Sequence, residues 1–509
     1  INKIYELKVI VLQIEIKGLQ DDRFHRPLRL ISNLFFEDSK VSLTPIEGAQ
    51  LSAQFSVSIE EIISVVVHLE NNETKEIYTA TGEKEYNSGN EKEAFKQVKN
   101  AVSFAYLTAL QEMTGIEQKW GFLTGIRPTK LLHKSLREGM SKEDAHQMLH
   151  EEYKISNEKI QLMQQIVDCQ LAVVPDLYNL QQEVSIYIGI PYCPTKCAYC
   201  TFPAFAIGAN KGSVSTFLAG LHYEIKEMGK ALKEMNIPIT TIYFGGGTPT
   251  SITAEEMDAL YADMYKYFPD VENVREITVE AGRPDTITPE KLDVLNKWKI
   301  DRISINPQSY IDETLKAIGR HHSVQETVDK FHLARQMGMN NINMDLIIGL
   351  PGEGTKEFQH TLNETEKLMP ESVTVHTLSF KRASEMTQNK QKYKVADRSE
   401  VEEMMNMAVH WTEEHGYHPY YLYRQKNILG NLENVGYSKQ GQESIYNIMI
   451  MEEQQTIIGI GCGAASKFIN HETGTIQHFA NPKDPKSYNE SFEKYTNEKI
   501  EILKQLFVK

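Results

Sequence analysis

From residue 184 to about residue 380 the chain alternates short apolar runs with amphipathic stretches of helical period. The apolar runs are "VSIYIGI", "TTIYFGGG", "REITVEAG", "RISINPQS", "NINMDLIIGLPG" and "SVTVHTLSF". Helices are predicted between and after them over 216–236, 254–267, 289–299, 311–318, 324–338 and 356–369. Runs this short and this uniformly apolar suit strands buried on both faces. Six such β-α units in a row require parallel strands, because each crossover needs a helix and winds right-handed. The expected fold class is therefore α/β, a partial (β/α)6 barrel, which keeps its chemistry at the carboxyl ends of its strands. Cys193, Gly245, Glu280, Gln308 and Asp345 fall at those ends. A purely structural barrel has no need of such residues there.

The flanks read differently. Residues 1–88 hold β-rich runs such as "KVIVLQIEIKG" and "EIISVVVHLE"; 91–115 is a helix closed by Gly115, and Pro128 opens further helix reaching about residue 173. Residues 1–180 are thus expected as an N-terminal α+β domain, bounded by the loop-like "VVPDLYNLQQE", with the β-α core over 181–385. Residues 386–509, with a helix near 398–416, the aromatic "GYHPYYLYRQKN" and the Gly-rich "IIGIGCGAASKF", are expected as a C-terminal cap over the site. A chain of 509 residues suits such a division. Lys and Arg total 54 against 69 Asp and Glu, a net charge of 54 − 69 = −15, which argues against nucleic acid as a partner. No apolar run is long enough to span a bilayer. The opening "INKIYELKVIVLQIEIKG" reads as a strand rather than a signal peptide. Few cysteines and no export signal point to the cytoplasm.

Three of the five cysteines lie in "CPTKCAYC", residues 193–200. Three thiolates are too many for one disulfide. They can hold three irons of a [4Fe–4S] cluster and leave the fourth open, or bind zinc with a distant fourth ligand. Ligand count alone leaves both readings standing. Cys169 and Cys462 read as ordinary small buried residues. At the next strand end, "GGGTPT" over 245–250 lets the backbone approach a ligand closely.

The triplet, Tyr199 within it and the glycine turn together resemble the radical S-adenosylmethionine superfamily. In that family the open iron chelates the amino and carboxylate groups of the cofactor's methionine, and the reduced cluster yields a 5′-deoxyadenosyl radical. The blocks "IPYCPTKCAYCTF", "FGGGTPT", "TVEAGRPDTIT", "ISINPQSYIDETLKAIGRHH" and "NMDLIIGLPGE" resemble the oxygen-independent coproporphyrinogen III oxidase group. The tail "YYLYRQKNILGNLENVGY" and the N-terminal "GIRPTK" are similar to its HemZ branch, the coproporphyrinogen dehydrogenases.

The resemblance implies a role for each matching position. Cys193, Cys197 and Cys200 would hold the cluster, with Tyr199 near the adenine. Gly246, Gly247 and Thr248 would line the methionine end, and Glu280 would accept from the ribose hydroxyls. Gln308, Arg320 and Asp345 would complete the cofactor pocket. Turn capping by Glu280 and Asp345, and a surface ion pair at Arg320, are the plainer alternatives. Tyr187 matches a substrate-side tyrosine. Arg424, among Tyr420, Tyr421 and Tyr423, suits a propionate on a flat macrocycle, as do Lys381, Arg382, Lys390, Lys392, Lys394, Arg127 and Lys130. The implied partners are a tetrapyrrole substrate and a one-electron donor of flavodoxin or ferredoxin type. The implied activity is that of a radical oxidoreductase of haem biosynthesis, decarboxylating two propionates of coproporphyrinogen III to vinyls. A haem-binding or haem-delivery protein that keeps its cluster, or another radical reaction on a tetrapyrrole, is the alternative. The chain departs from the oxidase pattern at Phe202, where a further cysteine is usual, and at "NPQS", where "GVQS" is typical. The H-N-x-x-Y-W motif of the haem-chaperone branch is not found in the sequence.

Overall fold

Side-chain alternation sets the first sheet. Along one strand Ile63, Val65, Val67 and Leu69 are buried while the residues between them face outward, the period of a half-covered antiparallel strand. The computed structural model describes residues 11–36, 39–86, 89–123, 127–202, 204–206, 213–379, 384–389, 393–425 and 428–508. Residues 1–10 of the first predicted strand, Gly125 and Ile126 of "GIRPTK", and Lys381, Arg382, Lys390 and Lys392 lie outside the described residues. The chain divides into two compact units, Ile1–Gln164 and Gln165–Lys509.

In the first unit β1 (Gln13–Lys17), β2 (Lys40–Ser42), β3 (Leu51–Ile59), β4 (Ile62–Asn71) and β5 (Ile77–Glu85) form one sheet in the order β2-β1-β3-β4-β5. Helix Glu91–Thr114 starts at Asn90, whose side chain accepts from the Glu93 amide, and stops at Gly115 with φ of 69°. Its buried Ala101, Ala105 and Leu107 join the same apolar core as β4.

The second unit contains β6 (Val184–Ile190), β7 (Tyr192–Cys193), β8 (Phe205–Ala206), β9 (Ile239–Gly246), β10 (Glu276–Glu280), β11 (Arg302–Ser304) and β12 (Ile342–Ile348). It continues with β13 (Ser372–Thr377), β14 (His418–Tyr423), β15 (Asn434–Ser438), β16 (Thr456–Gly461), β17 (Ala465–Asn470) and β18 (Thr475–Ala480). Eleven of these build one sheet, in the order β14-β15-β13-β12-β11-β10-β9-β6-β16-β17-β18. The six expected strands β6 and β9–β13 are parallel neighbours, and the residues of β6 and β12 are mostly buried, as an α/β sheet covered on both faces requires. The six helices form at Val214–Glu234, Ala254–Tyr267, Pro289–Lys297, Asp312–Ala317, Val324–Gln336 and Thr355–Leu368. Caps explain several starts. Ser213, Thr288 and Ser323 each accept from an amide in the first turn, and Thr253 forms a capping box with Glu256.

Residues 386–509, expected as a cap, enter this same sheet at both edges. β14 and β15 extend it antiparallel from β13, while β16 adds a seventh parallel strand beside β6. The edges of a six-stranded sheet expose unpaired backbone donors and acceptors, and these segments satisfy them. Among the described residues no helix is long and apolar enough to cross a membrane.

One buried cluster locks the C-terminal segment in place. Glu224, in helix Val214–Glu234, accepts from the Gly461 amide at 2.6 Å, the Tyr488 hydroxyl at 2.6 Å and Lys499 Nζ at 2.7 Å. Glu224 and Lys499 side chains are both 0% exposed. Breaking such a pair strands a charge in the interior. We expect Lys499→Met to lower the unfolding free energy by about 3 kcal/mol, and Glu224→Gln with Lys499→Met to recover part of that loss, measured by urea denaturation.

Candidate functional site

The cysteine loop begins where β6 ends, and the backbone clamps it to the glycine turn after β9. The Gly247 amide donates to the Ile190 carbonyl at 2.8 Å and the Thr248 amide to the Tyr192 carbonyl at 2.7 Å. Gly246 has φ of 111°, and a Cβ on Gly247 would stand 2.6 Å from the Tyr192 carbonyl oxygen. Neither position tolerates a side chain, so the local backbone itself requires two of the three glycines.

Within the loop, the Cys200 amide bonds the Cys197 carbonyl, the Ala198 amide bonds the Ile318 carbonyl, and Thr195 donates to the Gly319 carbonyl. Cys193 is buried with its sulfur 3.3 Å from the Thr248 hydroxyl, and burial pushes its thiol up to about 11. The charge of Arg283 opposes that rise, and a second arginine stands nearby. Arg283, paired with Asp285 at 3.1 Å, places Nη1 at 3.9 Å from Cys197 Sγ. Arg320, anchored on the Asn306 carbonyl at 2.8 Å, interacts with Cys197 and Tyr199. Cations beside sulfur favour the thiolate that metal binding needs. His322, 3% exposed, is held neutral down to about 3 by burial and by these two charges.

Facing the loop are polar residues of the neighbouring strands, with Glu280 at the end of β10 and Asp345 in the middle of β12. Glu280, last in β10, accepts from the Tyr243 hydroxyl at 2.5 Å. Burial, helped by the charge of Asp345, pushes its carboxyl up to about 7 against the pull of Tyr243. Asp345 accepts from Asn306 and Asn343, both at 2.8 Å, and lies 3.5 Å from His376. Burial raises its carboxyl, but His376, Asn343 and Arg320 together outweigh this and hold it below the ordinary value. Gln308 adopts φ of 67°, a costly conformation for a residue with a side chain. Its amide donates to the Asp345 carbonyl and its carbonyl accepts from Ile347, so the ladder pins it there.

Cys193, Cys197, Cys200, Tyr199, Gly246, Gly247, Thr248, Glu280, Gln308, Arg320 and Asp345 all line one cavity of about 470 Å³. Gln308 Oε1, Ser304 Oγ and Arg320 Nε are buried at its wall without a hydrogen-bond partner. Buried polar atoms are nearly always satisfied, so these donors and acceptors fit a polar ligand with hydroxyl, amino and carboxylate groups. S-adenosylmethionine, which the superfamily implies together with a [4Fe–4S] cluster, has that character.

Tyr187 and Arg424 do not join this lining. Tyr187 stacks behind the wall on Tyr243 and Tyr446, at ring separations of 6.1 and 6.3 Å. Arg424 turns inward to Asn431 Oδ1 at 2.5 Å, whereas its neighbours Tyr423 and Gln425 line the cavity. Successive side chains of an extended segment point to opposite faces, which explains the split. Lys394 lies in the second unit, its carbonyl accepting from the Gly352 amide, and Arg127 and Lys130 belong to the first unit. Sequence reasoning missed Arg283, Asn306, His376 and Tyr243, all in the lining. Arg283 stands three residues beyond Glu280 in the quoted "TVEAGRPD", where a cation next to a strand-end acid was a visible signal.

Residues 187–365 match the model of the radical SAM superfamily. The chain is 68% identical over 503 residues to the oxygen-independent coproporphyrinogen-III oxidase-like protein HemZ of Bacillus subtilis, covering 98% of this chain and 99% of that one. It is 29% identical to the heme chaperone HemW of the same organism, over 62% of this chain and 81% of that one. Among solved structures it is similar to coproporphyrinogen III oxidase (HemN) from Escherichia coli, described as a radical SAM enzyme. That match has a TM-score of 0.50 and 19% identity over 64% of this chain and 72% of that one.

The raised Glu280 carboxyl has a testable consequence. Its folded value near 7 exceeds the model-peptide value near 4.5, so the folded state holds the extra proton between those values. Stability from this group is therefore full below pH 4.5 and is lost as pH rises through 7. Without cofactors, Glu280→Gln is expected to be about 1–3 kcal/mol more stable than the wild type at pH 8.5. The gain should shrink towards pH 5 in thermal or urea unfolding. A gain independent of pH would contradict this assignment.

Proposed function

The chain belongs to the radical SAM superfamily, among the oxygen-independent coproporphyrinogen-III oxidase-like proteins, and on that premise we propose that it oxidatively decarboxylates coproporphyrinogen III. The product is protoporphyrinogen IX, with two propionates converted to vinyls. The observation that carries the reading is the convergence of the three loop cysteines with Tyr199, the glycine turn, Glu280, Gln308, Arg320 and Asp345 on one cavity.

Cys193, Cys197 and Cys200 hold the cluster, and the backbone of Gly246, Gly247 and Thr248 borders the methionine end of S-adenosylmethionine. Glu280 accepts from the ribose hydroxyls, and Tyr199 lies against the adenine. Arg320 and Asp345 offer opposite charges to the carboxylate and amino groups, while Gln308 Oε1 supplies a further acceptor. Bound there and reduced by a flavodoxin- or ferredoxin-type donor, the cofactor pair would supply the hydrogen-atom acceptor that oxidative decarboxylation of a propionate to a vinyl group and CO2 requires, with the remaining electron going to an external one-electron acceptor. Arg283 beside Cys197 Sγ keeps positive charge next to the sulfur.

Similarity to a heme chaperone over 62% of the chain supports a second reading, haem binding without decarboxylation. One experiment separates the two. The cluster-loaded protein is reduced anaerobically with coproporphyrinogen III and S-adenosylmethionine, and products are read by mass. We expect 5′-deoxyadenosine together with the divinyl product, and neither from Cys197→Ala, which also loses iron. Tight haem binding with no substrate-dependent cofactor cleavage would instead favour the second reading.

A further inference from the structure

A second set of donors converges at the other end of the sheet. Cys169 in helix Asn157–Val173, His418 at the start of β14 and Glu443 in the turn before helix Ile445–Glu452 each bring a ligand atom within 4.8 Å of the others. His418 pairs in the ladder with Ser438, which pairs with Ser372, the first residue of β13. On β13 the cavity lining begins at Thr374 and continues through His376 and Thr377, whereas Ser372 is not part of it. The donor set thus sits at the amino end of β13, and none of its three residues lines the cavity.

Two features distinguish this set from an ordinary ion pair. His418 Nε2 lies 2.6 Å from Glu443 Oε1, which satisfies one carboxylate oxygen. The other, Oε2, is buried with no partner, on a residue only 6% exposed. An orphaned carboxylate oxygen beside a thiol is costly unless something positive joins them.

The second feature is that the backbone carrying each donor is fixed. Arg302 Nη1 donates to the Gln442 carbonyl at 2.9 Å, and Ser444 Oγ donates to the buried Glu276 at 2.9 Å, so the residues on both sides of Glu443 are tethered. Glu276 also accepts from the Ile445 amide at 2.8 Å. His418 is fixed by strand pairing and Cys169 by its helix. The donors are one sulfur, one imidazole nitrogen and one carboxylate oxygen. Calcium and magnesium want oxygen alone, whereas this mixed set matches zinc in a four-coordinate site. The His418 side chain is 35% exposed, which leaves a path for the ion and a place for a water ligand.

We propose that Cys169, His418 and Glu443 bind one zinc-class divalent cation, completed by water, that staples the helix before β6 to β14 and to the turn before Ile445–Glu452. Binding exchanges the Cys169 proton and the His418–Glu443 hydrogen bond for metal–ligand bonds, with no change of oxidation state. The staple also supports the cavity from behind, because Tyr446 at the start of that helix stacks on Tyr243 at 4.4 Å.

The test uses the full chain with its iron–sulfur cluster loaded, so that the loop cysteines cannot take up zinc. After exposure to Zn²⁺ and gel filtration, metal is counted by mass spectrometry and its ligands are read by zinc-edge X-ray absorption. We expect about one zinc per chain with one sulfur near 2.3 Å and nitrogen or oxygen ligands near 2.0 Å. Cys169→Ser and His418→Ala should each weaken retention at least 10-fold while leaving iron content unchanged. A Cys193→Ala, Cys197→Ala, Cys200→Ala variant should still retain the zinc. No retained zinc in the wild type, a zinc shell without sulfur, or equal retention in Cys169→Ser would each overturn the proposal.

Discussion

Strand β6 is hydrogen-bonded on both sides, and the position of the whole site depends on that pairing. β9 and β16 run parallel to it, with Gly189 opposite Gly245 on one side and Gly461 on the other. The ladder fixes the height at which the chain leaves the sheet, and the amides of Gly247 and Thr248 then close onto the carbonyls of Ile190 and Tyr192. The cysteine loop is therefore attached to the glycine turn through the backbone, with the Cys193 Sγ–Thr248 hydroxyl contact beside it. A substitution that adds a Cβ at Gly247 cannot be accommodated without moving them.

On this frame the cavity collects charge that water would otherwise screen. Arg283 and Arg320 stand on the sulfur side, Glu280 and Asp345 on the other. The two acids are pushed in opposite directions by their surroundings. Glu280 has only Tyr243 and the Gly246 backbone to offset its burial, so its carboxyl rises, whereas Asp345 is held low by His376, Asn343 and Arg320. Such divergence marks sites built for binding or proton management rather than for stability alone. The strained φ of Gln308 belongs to the same pattern, because a ladder contact to Asp345 and Ile347 holds an unfavourable backbone where a free acceptor is needed.

Much of this was legible in the sequence because the signals were local. Hydrophobic period located the six helices closely, as with Ala254–Tyr267 and Val324–Gln336. Strand-end position singled out Glu280, since polar residues closing apolar runs have few other uses in a buried sheet. What was missed depended on long-range pairing. "TIIGIG" reads as a Gly-rich loop until β6 is seen to need a partner, and only then is it β16. The aromatic setting of Arg424 suits a propionate, but the alternation of the extended segment leaving β14 turns it to Asn431 and gives the cavity Tyr423 instead. Cys169 looked like a filler residue, and its neighbours His418 and Glu443 lie some 250 or more positions away, beyond the reach of spacing rules.

The account's central claim is that the three loop thiolates leave one iron open for the amino acid end of S-adenosylmethionine. The direct measurement is the electron paramagnetic resonance spectrum of the reduced, reconstituted cluster before and after S-adenosylmethionine is added. The account predicts that the g-values shift on addition, that isotope-labelled methionine carboxylate couples to the cluster, and that the shift weakens in Arg320→Met. An unchanged spectrum with saturating S-adenosylmethionine, in protein that holds a full cluster, would contradict it.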